Sequence, residues 1–155
     1  MPGVLFKIPL TLWVRGTIEK MNRFGKRGIQ SWSQYWLETY KELGGRSNES
    51  GSKGCPQHAA YGLWRLGRIK EASIPYQHQT INLINQEYSK NAVYAVLALD
   101  LLEKQQAARD NASLWRQVQN LYKKTIHEEP AKSQQGAITV AVTLFKEGQI
   151  ISFQE

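Results

Sequence analysis

The residues best suited to chemistry lie in one short stretch, Gly54-Cys55-Pro56-Gln57-His58. Pro56 fits the first turn of a helix, where its missing N–H is not needed, so Cys55 would stand near the helix start. A helix N-terminus, Lys53 and the nearby His58 would all favour the thiolate, which makes Cys55 a candidate nucleophile and His58 a candidate base. A half-buried structural cysteine beside a solvent-facing histidine explains the same residues without any reaction.

The same helix start could also bind an anion or a metal ion. Its free N–H groups, together with Lys53, suit a bound anion such as phosphate. A metal site is not predicted, because Cys55 and His58 supply only two ligands, while His78 and His127 lie far along the chain without ligand spacing. No cofactor is implied. Since no third group that would orient a base is recognisable, the sequence leans away from an enzyme without deciding the question.

The positive charge of the chain is concentrated in its first half. The 155 residues carry a net charge of +7, and residues 1–78 hold 12 Lys and Arg against 5 Asp and Glu, whereas residues 79–155 hold 8 of each. A basic half suits contact with nucleic acid or an acidic protein, and it also serves simple solubility. The candidate contacts are six basic side chains: Arg23, Lys26, Arg27, Lys53, Arg65 and Arg68.

Helices must position these residues, because apolar side chains recur at helical spacing along most of the chain. An aromatic stripe runs at i, i+3, i+4, i+8 and i+11, which predicts a buried helix face that ends at Gly44: Trp32, Tyr35, Trp36, Tyr40 and Leu43. Residues 91–105 are apolar on most sides, so we expect a central helix there. Three serines are predicted to cap helix starts: Ser31, Ser113 and Ser133.

The helix that begins near Cys55 is predicted to lie between a loop and a glycine turn. Residues 46–54 are polar and rich in Gly and Ser, which predicts a mobile loop. Gly67 stands where a left-handed residue would end the helix, with Ile69 closing over it. Residues 71–90 then form a linker, because Pro75 forbids a regular helix, with a short helix near Ile84.

The two halves of the chain share a pattern of residues at matching spacing. The first half gives Ser31, Trp32, Trp36, Tyr40, Lys41, Ala60, Leu63, Gly67 and Ile69, and the second gives Ser113, Leu114, Val118, Tyr122, Lys123, Ala141, Leu144, Gly148 and Ile150. We therefore expect one all-α domain over residues 1–155. It would be a compact bundle of about six helices, built from two degenerate copies of a three-helix unit at 9–70 and 91–151.

Composition limits where the protein acts. Apolar residues make up 41% of the chain, which is typical of a globular domain. The single cysteine excludes an intramolecular disulfide and favours a reducing compartment, so we expect a cytoplasmic protein. The apolar start of the chain is too short and too interrupted, by Lys7 and Pro9, for a membrane span or a signal peptide.

Several short strings resemble a small bacterial family of unknown function. They cover most of residues 31–150: Gly54-Cys55-Pro56 with Ala59, Gly62, Leu63, Gly67 and Ile69; Asn91-Ala92-Val93-Tyr94-Ala95; Leu114-Trp115; and Leu144 with Gly148-Gln149-Ile150. The resemblance implies no catalytic residues, because no activity is established for that family.

Three functions remain open at this point. A non-enzymatic helical binding module for nucleic acid or another polyanion is favoured by the basic first half. It would not be a simple helix-turn-helix, because the connection from Gly44 to Cys55 is too long. A small enzyme or redox protein would use Cys55. A protein–protein adaptor would present Trp64 and Tyr76 on its surface.

Overall fold

Helices build nearly all of the structure, a computed structural model that describes residues 3–133 and 136–152. In chain order the elements are β1 Val4–Leu5, β2 Ile8–Pro9, α1 Leu10–Arg23, α2 Ile29–Glu42, α3 Asn48–Gly51, α4 Gly54–Arg65, α5 Ile81–Glu87, α6 Lys90–Glu103, α7 Asn111–Ile126 and α8 Ala137–Lys146. Six of these helices are ten residues or longer, so the predicted all-α bundle of about six helices is confirmed.

Helix α6 lies at the centre of the bundle, as its sequence predicts. Residues 91–99 are all buried, and the helix packs against α4, α5, α7 and α8. Its contact with α4 is close because Gly62 has no side chain: a Cβ there would lie 2.4 Å from the Cβ of Ala92. A helix that is apolar all round can be accommodated only in such a position.

A cluster of tryptophans forms the core between α1, α2 and α4. Trp13 stacks on Trp36 with ring centroids 4.3 Å apart, and Trp32 stacks on Trp64 at 5.2 Å. The predicted buried face of α2 is thereby confirmed. The expectation that Trp64 is exposed is wrong: it is 1% exposed. Because α4 packs against α2, α6 and α8, the Trp64 side chain is covered and cannot form an adaptor surface.

The three serine caps are wrong, each for a local reason. Helix α2 begins two residues before Ser31, after Gly28 in extended conformation. Helix α7 is capped by Asp110, whose Oδ1 accepts a hydrogen bond from the Ser113 N–H at 2.8 Å. Hydrogen bonds from the backbone and the side chain of Ser113 lower the pKa of Asp110. Helix α8 follows Gly136, whose φ of +94° turns the chain into the helix, and Ser133 lies outside it.

Residues 46–54 contain the short helix α3 and are not only a loop. The Ser47 side chain accepts a hydrogen bond from the Ser50 N–H and so caps this turn. Gly51 is buried there, and a Cβ on it would lie 2.6 Å from both Leu37 and Tyr40. The stretch therefore packs against α2, which its Gly and Ser content did not indicate.

A hairpin of β1 and β2, which the sequence pattern did not predict, precedes α1. Its two turn residues, Phe6 and Lys7, have φ of 51° and 68°. The Gly3 N–H donates to the Glu147 carboxylate at 2.6 Å, so the hairpin is attached to the end of α8.

Helices α4 and α8 end in the same way. Gly67 and Gly148 have φ of 72° and 71°, as only glycine adopts easily. Each helix closes with the bond pattern of a Schellman motif: the Arg68 N–H donates to the Leu63 carbonyl and the Gln149 N–H to the Leu144 carbonyl, both at 2.9 Å. The helix end predicted at Gly67 is confirmed.

The residues after these two glycines pair with each other. Ile69 and Ile150 form an antiparallel bridge. The Lys70 N–H donates to the Gln149 carbonyl at 2.9 Å, and the Ile151 N–H donates to the Arg68 carbonyl at 2.7 Å. In the predicted duplication Arg68 corresponds to Gln149 and Lys70 to Ile151, so each of these two bonds is the counterpart of the other. The duplication of 9–70 and 91–151 stays a prediction, and this reciprocal pairing is what it would produce.

Candidate functional site

Cys55 and His58 both lie in the first turns of α4, but their side chains have different neighbours. Cys55 is half-buried and is not in a disulfide. Burial raises the pKa of the Tyr94 phenol on α6, the hydrogen bond with the Ala131 backbone opposes this rise, and Cys55 adds a smaller increase. His58 lines a cavity of about 230 Å³ together with Tyr61 and Tyr88. Burial lowers the pKa of His58, so the imidazole is held towards its neutral form.

No metal cluster accompanies these two residues. Within residues 3–133 and 136–152, no group of three or more His, Cys, Asp or Glu side chains could hold an ion. The reactive thiol at Cys55 stays a prediction.

The six basic candidates do not form one cluster. Arg23 pairs with Glu19 at 2.7 Å on the surface of α1. Lys53 stands at the start of α4, about 18 Å along the helix from Arg65 at its end. Arg68 is only 4% exposed. These six residues lie in one half of the sequence, but in the folded protein they do not share one surface.

A smaller group of basic residues does come together. The Arg65 guanidinium donates to the Arg27 carbonyl at 2.8 Å, and the Tyr61 hydroxyl donates to the same carbonyl at 2.9 Å. Lys26 and Arg27 are themselves exposed in the α1–α2 turn. This arrangement fixes the turn against α4 and brings Arg65 beside it.

A pocket lined by several charged side chains lies elsewhere, between the end of α4, residues 76–80, α5 and the end of α6. The cavity has a volume of about 440 Å³. We call it the Arg68–Asp100 pocket. Its lining combines aliphatic and charged residues: Leu66, Arg68, Tyr76, Gln77, His78, Gln79, Thr80, Ile81, Ile84, Val96, Asp100, Glu103 and Lys104.

Local structure holds the walls of this pocket in place. The Gln77 N–H donates to the Leu66 carbonyl at 2.9 Å, which attaches the 76–80 segment to the end of α4. A Cβ on Gly67 would lie 2.3 Å from the Pro75 carbonyl oxygen, so only glycine permits this approach. The Thr80 side chain caps α5, because its hydroxyl accepts from the Leu83 N–H at 3.2 Å.

A buried ion pair joins two of these walls. Arg68 on the turn after α4 donates through Nη2 to the Glu103 carboxylate on α6, and through Nε to the Ile151 carbonyl at 2.9 Å. The side chains of Arg68 and Glu103 are 4% and 14% exposed. The guanidinium also lies 5.5 Å from the centre of the Tyr76 ring. Its remaining nitrogen, Nη1, has no hydrogen-bond partner in the part of the chain that the structure describes.

Asp100 differs from Glu103, which lies three residues later on α6. Its half-buried carboxylate makes no hydrogen bond or ion pair with the described residues. Burial raises the pKa of Asp100, and the nearby charges of Arg68, Lys104 and His78 oppose this rise. A carboxyl group in a pocket whose pKa is raised by burial is a candidate functional residue.

Sequence reasoning missed both acids of this pocket. Asp100 and Glu103 are the only charged residues in the otherwise apolar stretch 91–103, and at i and i+3 they share one face of α6. Two acidic side chains on a central helix need either partners or a ligand. Their presence at this spacing could therefore have indicated a binding site. Arg68 was found as a basic residue, but its burial and its pairing with Glu103 were not.

Fold and pocket together define an all-α domain with a small, charged pocket between its helices. The chain belongs to a family of unknown function, DUF6979, whose model matches residues 13–151. This match confirms the resemblance to an uncharacterised family and extends it towards the N-terminus, into α1. Neither a curated protein nor a solved structure matches the chain. Within the described residues, no helix is both long enough and apolar enough to cross a membrane.

Proposed function

We propose that this protein is a non-enzymatic binding domain that holds a small polar molecule in the Arg68–Asp100 pocket. The single observation that carries this proposal is Asp100, a half-buried carboxylate that makes no hydrogen bond or ion pair with the described residues, beside the ion pair of Arg68 and Glu103. A ligand that bonds to Asp100 would offset the cost of its burial.

The shape of the site supports the same conclusion. Its volume of about 440 Å³ lies within the usual range for small-molecule pockets, about 300–1,000 Å³. Aliphatic side chains from α5 and α6 line it beside the charged groups, namely Ile81, Ile84 and Val96. An apolar wall with a few convergent polar groups is the usual composition of a binding site for a small molecule.

The proposal is tested by ligand screening with NMR on the full chain. Primary amines, amino acids, small carboxylic acids and nucleosides would be added one class at a time to ¹⁵N-labelled protein. We expect one class to shift the amide signals of residues 76–81 and 96–104 together. If no compound of any class shifts this group of signals, the proposal is wrong.

Asp100→Asn is the matched variant for this screen. It keeps the size of the side chain and removes the charge, so we expect the binding-induced shifts to be lost while the rest of the spectrum is kept. Glu49→Gln, an equally conservative change at an exposed acid on α3, should leave binding unchanged. Binding that survives in Asp100→Asn would contradict the role given to this carboxylate.

A second candidate function rests on the basic α1–α2 turn. The contact between Arg65 and the Arg27 carbonyl holds two arginines beside Lys26 on one surface. We propose that nucleic acid or another polyanion binds there, which predicts an affinity that falls steeply with salt. Titration with single-stranded DNA, duplex DNA and RNA at two salt concentrations tests this, with Lys26→Ala/Arg27→Ala as the variant. No binding at low salt would leave the charge of +7 as a solubility feature.

A further inference from the structure

The unpaired groups of the Arg68–Asp100 pocket have opposite charge. Arg68 presents Nη1, an N–H donor that has no partner among the described residues, and Asp100 presents a carboxylate in the same condition. Both line one pocket, yet they form no ion pair with each other. The space between them therefore suits a group that accepts a hydrogen bond on one side and donates on the other.

The charge of the whole lining limits the ligand further. Two bases, Arg68 and Lys104, stand against two acids, Asp100 and Glu103, so their formal charges cancel. A ligand with a net charge would leave that charge uncompensated in a partly desolvated site, which is costly. A ligand with one positive and one negative group, and no net charge, meets both unpaired groups without this cost.

The rest of the wall gives the third constraint. Ile81, Ile84 and Val96 contribute aliphatic surface, and Ile84 and Val96 are buried. An aliphatic side chain packed against this surface would be removed from water, which favours binding. The ligand is therefore expected to combine a charged pair at one end with an aliphatic group at the other.

From these three constraints, we propose that the pocket binds a small zwitterion of the aliphatic α-amino-acid class. Its carboxylate would accept from Arg68 Nη1, its ammonium group would donate to Asp100, and its side chain would lie against Ile81, Ile84 and Val96. This inference rests on the proposed function, because it names the ligand class of the same pocket. It involves no reaction, only binding.

The test uses compounds that share one aliphatic tail and differ only in their charged groups. Leucine carries both groups, 3-methylbutan-1-amine lacks the carboxylate, and 4-methylpentanoate lacks the ammonium group. Each would be titrated into the ¹⁵N-labelled full chain and followed through the amide signals of the pocket residues. We expect leucine, or isoleucine, valine or methionine in its place, to bind at least about tenfold more tightly than either single-charge analogue, because each analogue leaves either Arg68 Nη1 or the Asp100 carboxylate without a ligand partner.

Variants separate the two ends of the ligand. Asp100→Asn should remove the preference for leucine over 4-methylpentanoate, because the ammonium group then has no carboxylate partner. Glu49→Gln, on the exposed helix α3, should preserve that preference. Because both are read from relative affinities, a general loss of stability would not reproduce the result.

Failure of this inference can be distinguished from failure of the proposed function. If an amine, a carboxylic acid or a nucleoside shifts the pocket signals and none of the four aliphatic amino acids does, the inference is wrong and the pocket remains a binding site. Equal binding of leucine and its two analogues would also overturn it. If no compound in either series shifts these signals, both proposals are wrong.

Discussion

Arg68 and Gln149 occupy equivalent places in the two halves of the bundle. Both follow a left-handed glycine at the end of a helix, and both belong to the reciprocal pair of backbone hydrogen bonds that joins the halves. Their side chains differ in what they reach. Arg68 bonds to Glu103 on α6 in the interior, whereas Gln149 accepts a hydrogen bond at 2.8 Å from Arg15 on α1.

The consequence is a pocket on one side and a surface network on the other. Arg15 also pairs with Glu71 at 3.2 Å, but the two side chains are 34% and 84% exposed. Such exposed pairs contribute little, while a buried pair makes each partner depend on the other. The same backbone arrangement therefore carries different side-chain contacts in the two halves. The candidate site lies at the buried pair of Arg68 and Glu103, which has no counterpart at Gln149.

The largest expected effect of this difference is on stability. Arg68→Ala leaves the Glu103 carboxylate buried without its cation, so we expect the free energy of unfolding to fall by about 3–5 kcal/mol. Gln149→Ala removes two part-buried hydrogen bonds, from Arg15 to Oε1 and from Nε2 to the Glu147 carbonyl, and should cost less, about 1–2 kcal/mol. Urea denaturation of both variants measures the difference.

A double variant controls for the lost volume of the arginine. Arg68→Ala/Glu103→Ala removes both charges, and we expect it to recover part of the stability lost in Arg68→Ala, because no buried charge is left unpaired. Costs of Arg68→Ala and Gln149→Ala that agree within about 0.5 kcal/mol would contradict the contrast between the two halves.

The contrast also explains how far the sequence could predict this molecule. The fold class, the buried aromatic face, the central helix and the turn at Gly67 each follow from local periodicity or from one special residue. The pairing of Ile69 with Ile150, and of Arg68 with Glu103, joins residues from distant parts of the chain. Short-range patterns carry no information about such contacts.

The helix starts were wrong for a different reason. Residues of several types can cap a helix, and the local pattern did not decide between Ser113 and Asp110, or between Ser31 and Gly28. The acids of the pocket were missed because Asp100 was treated as part of an otherwise apolar helix and not as an exception to it. Only the folded arrangement brings that carboxylate beside Arg68.

A second prediction compares the two glycines that end α4 and α8. Both have the same left-handed φ, so replacement by alanine strains each backbone by about 1–2 kcal/mol. A Cβ on Gly67 would also lie 2.3 Å from the Pro75 carbonyl oxygen, while a Cβ on Gly148 meets no atom within 4 Å. We expect Gly67→Ala to cost about 2–3 kcal/mol and Gly148→Ala about 1 kcal/mol.

The location of the damage sharpens this comparison. Gly67→Ala should displace the 76–80 segment, so its amide signals should shift, whereas Gly148→Ala should leave that segment unchanged. Thermal or urea unfolding gives the energies, and the NMR spectrum gives the location. Equal costs for the two variants would show that Pro75 does not press on Gly67 in solution.

The smallest expected effect concerns Asp100, whose counterpart on α1 in the predicted duplication is Ile18, a residue that cannot titrate. Burial raises the pKa of Asp100 in the folded state above its ordinary value near 3.8, so the folded protein binds this proton more tightly than the unfolded chain. This contribution favours folding most at a pH below the ordinary value. It is lost as the pH rises through the interval up to the raised pKa, and it stays lost at neutral pH. At neutral pH the charged carboxylate of the natural protein bears the full cost of its burial, and Asp100→Asn removes that cost. We therefore expect the variant to be more stable than the natural protein at pH 7, with a gain that shrinks towards pH 3.5.

The measurement is the difference in unfolding free energy between the two proteins across this pH range. Glu49→Gln, at an exposed acid, should show no comparable dependence. A pocket residue that weakens the free protein, and whose replacement both stabilises the fold and removes ligand binding, is kept for the ligand and not for the fold. A loss of stability in Asp100→Asn at pH 7 would instead make Asp100 a structural partner of Arg68 and Lys104, and the contrast between the two halves would then be one of stability alone.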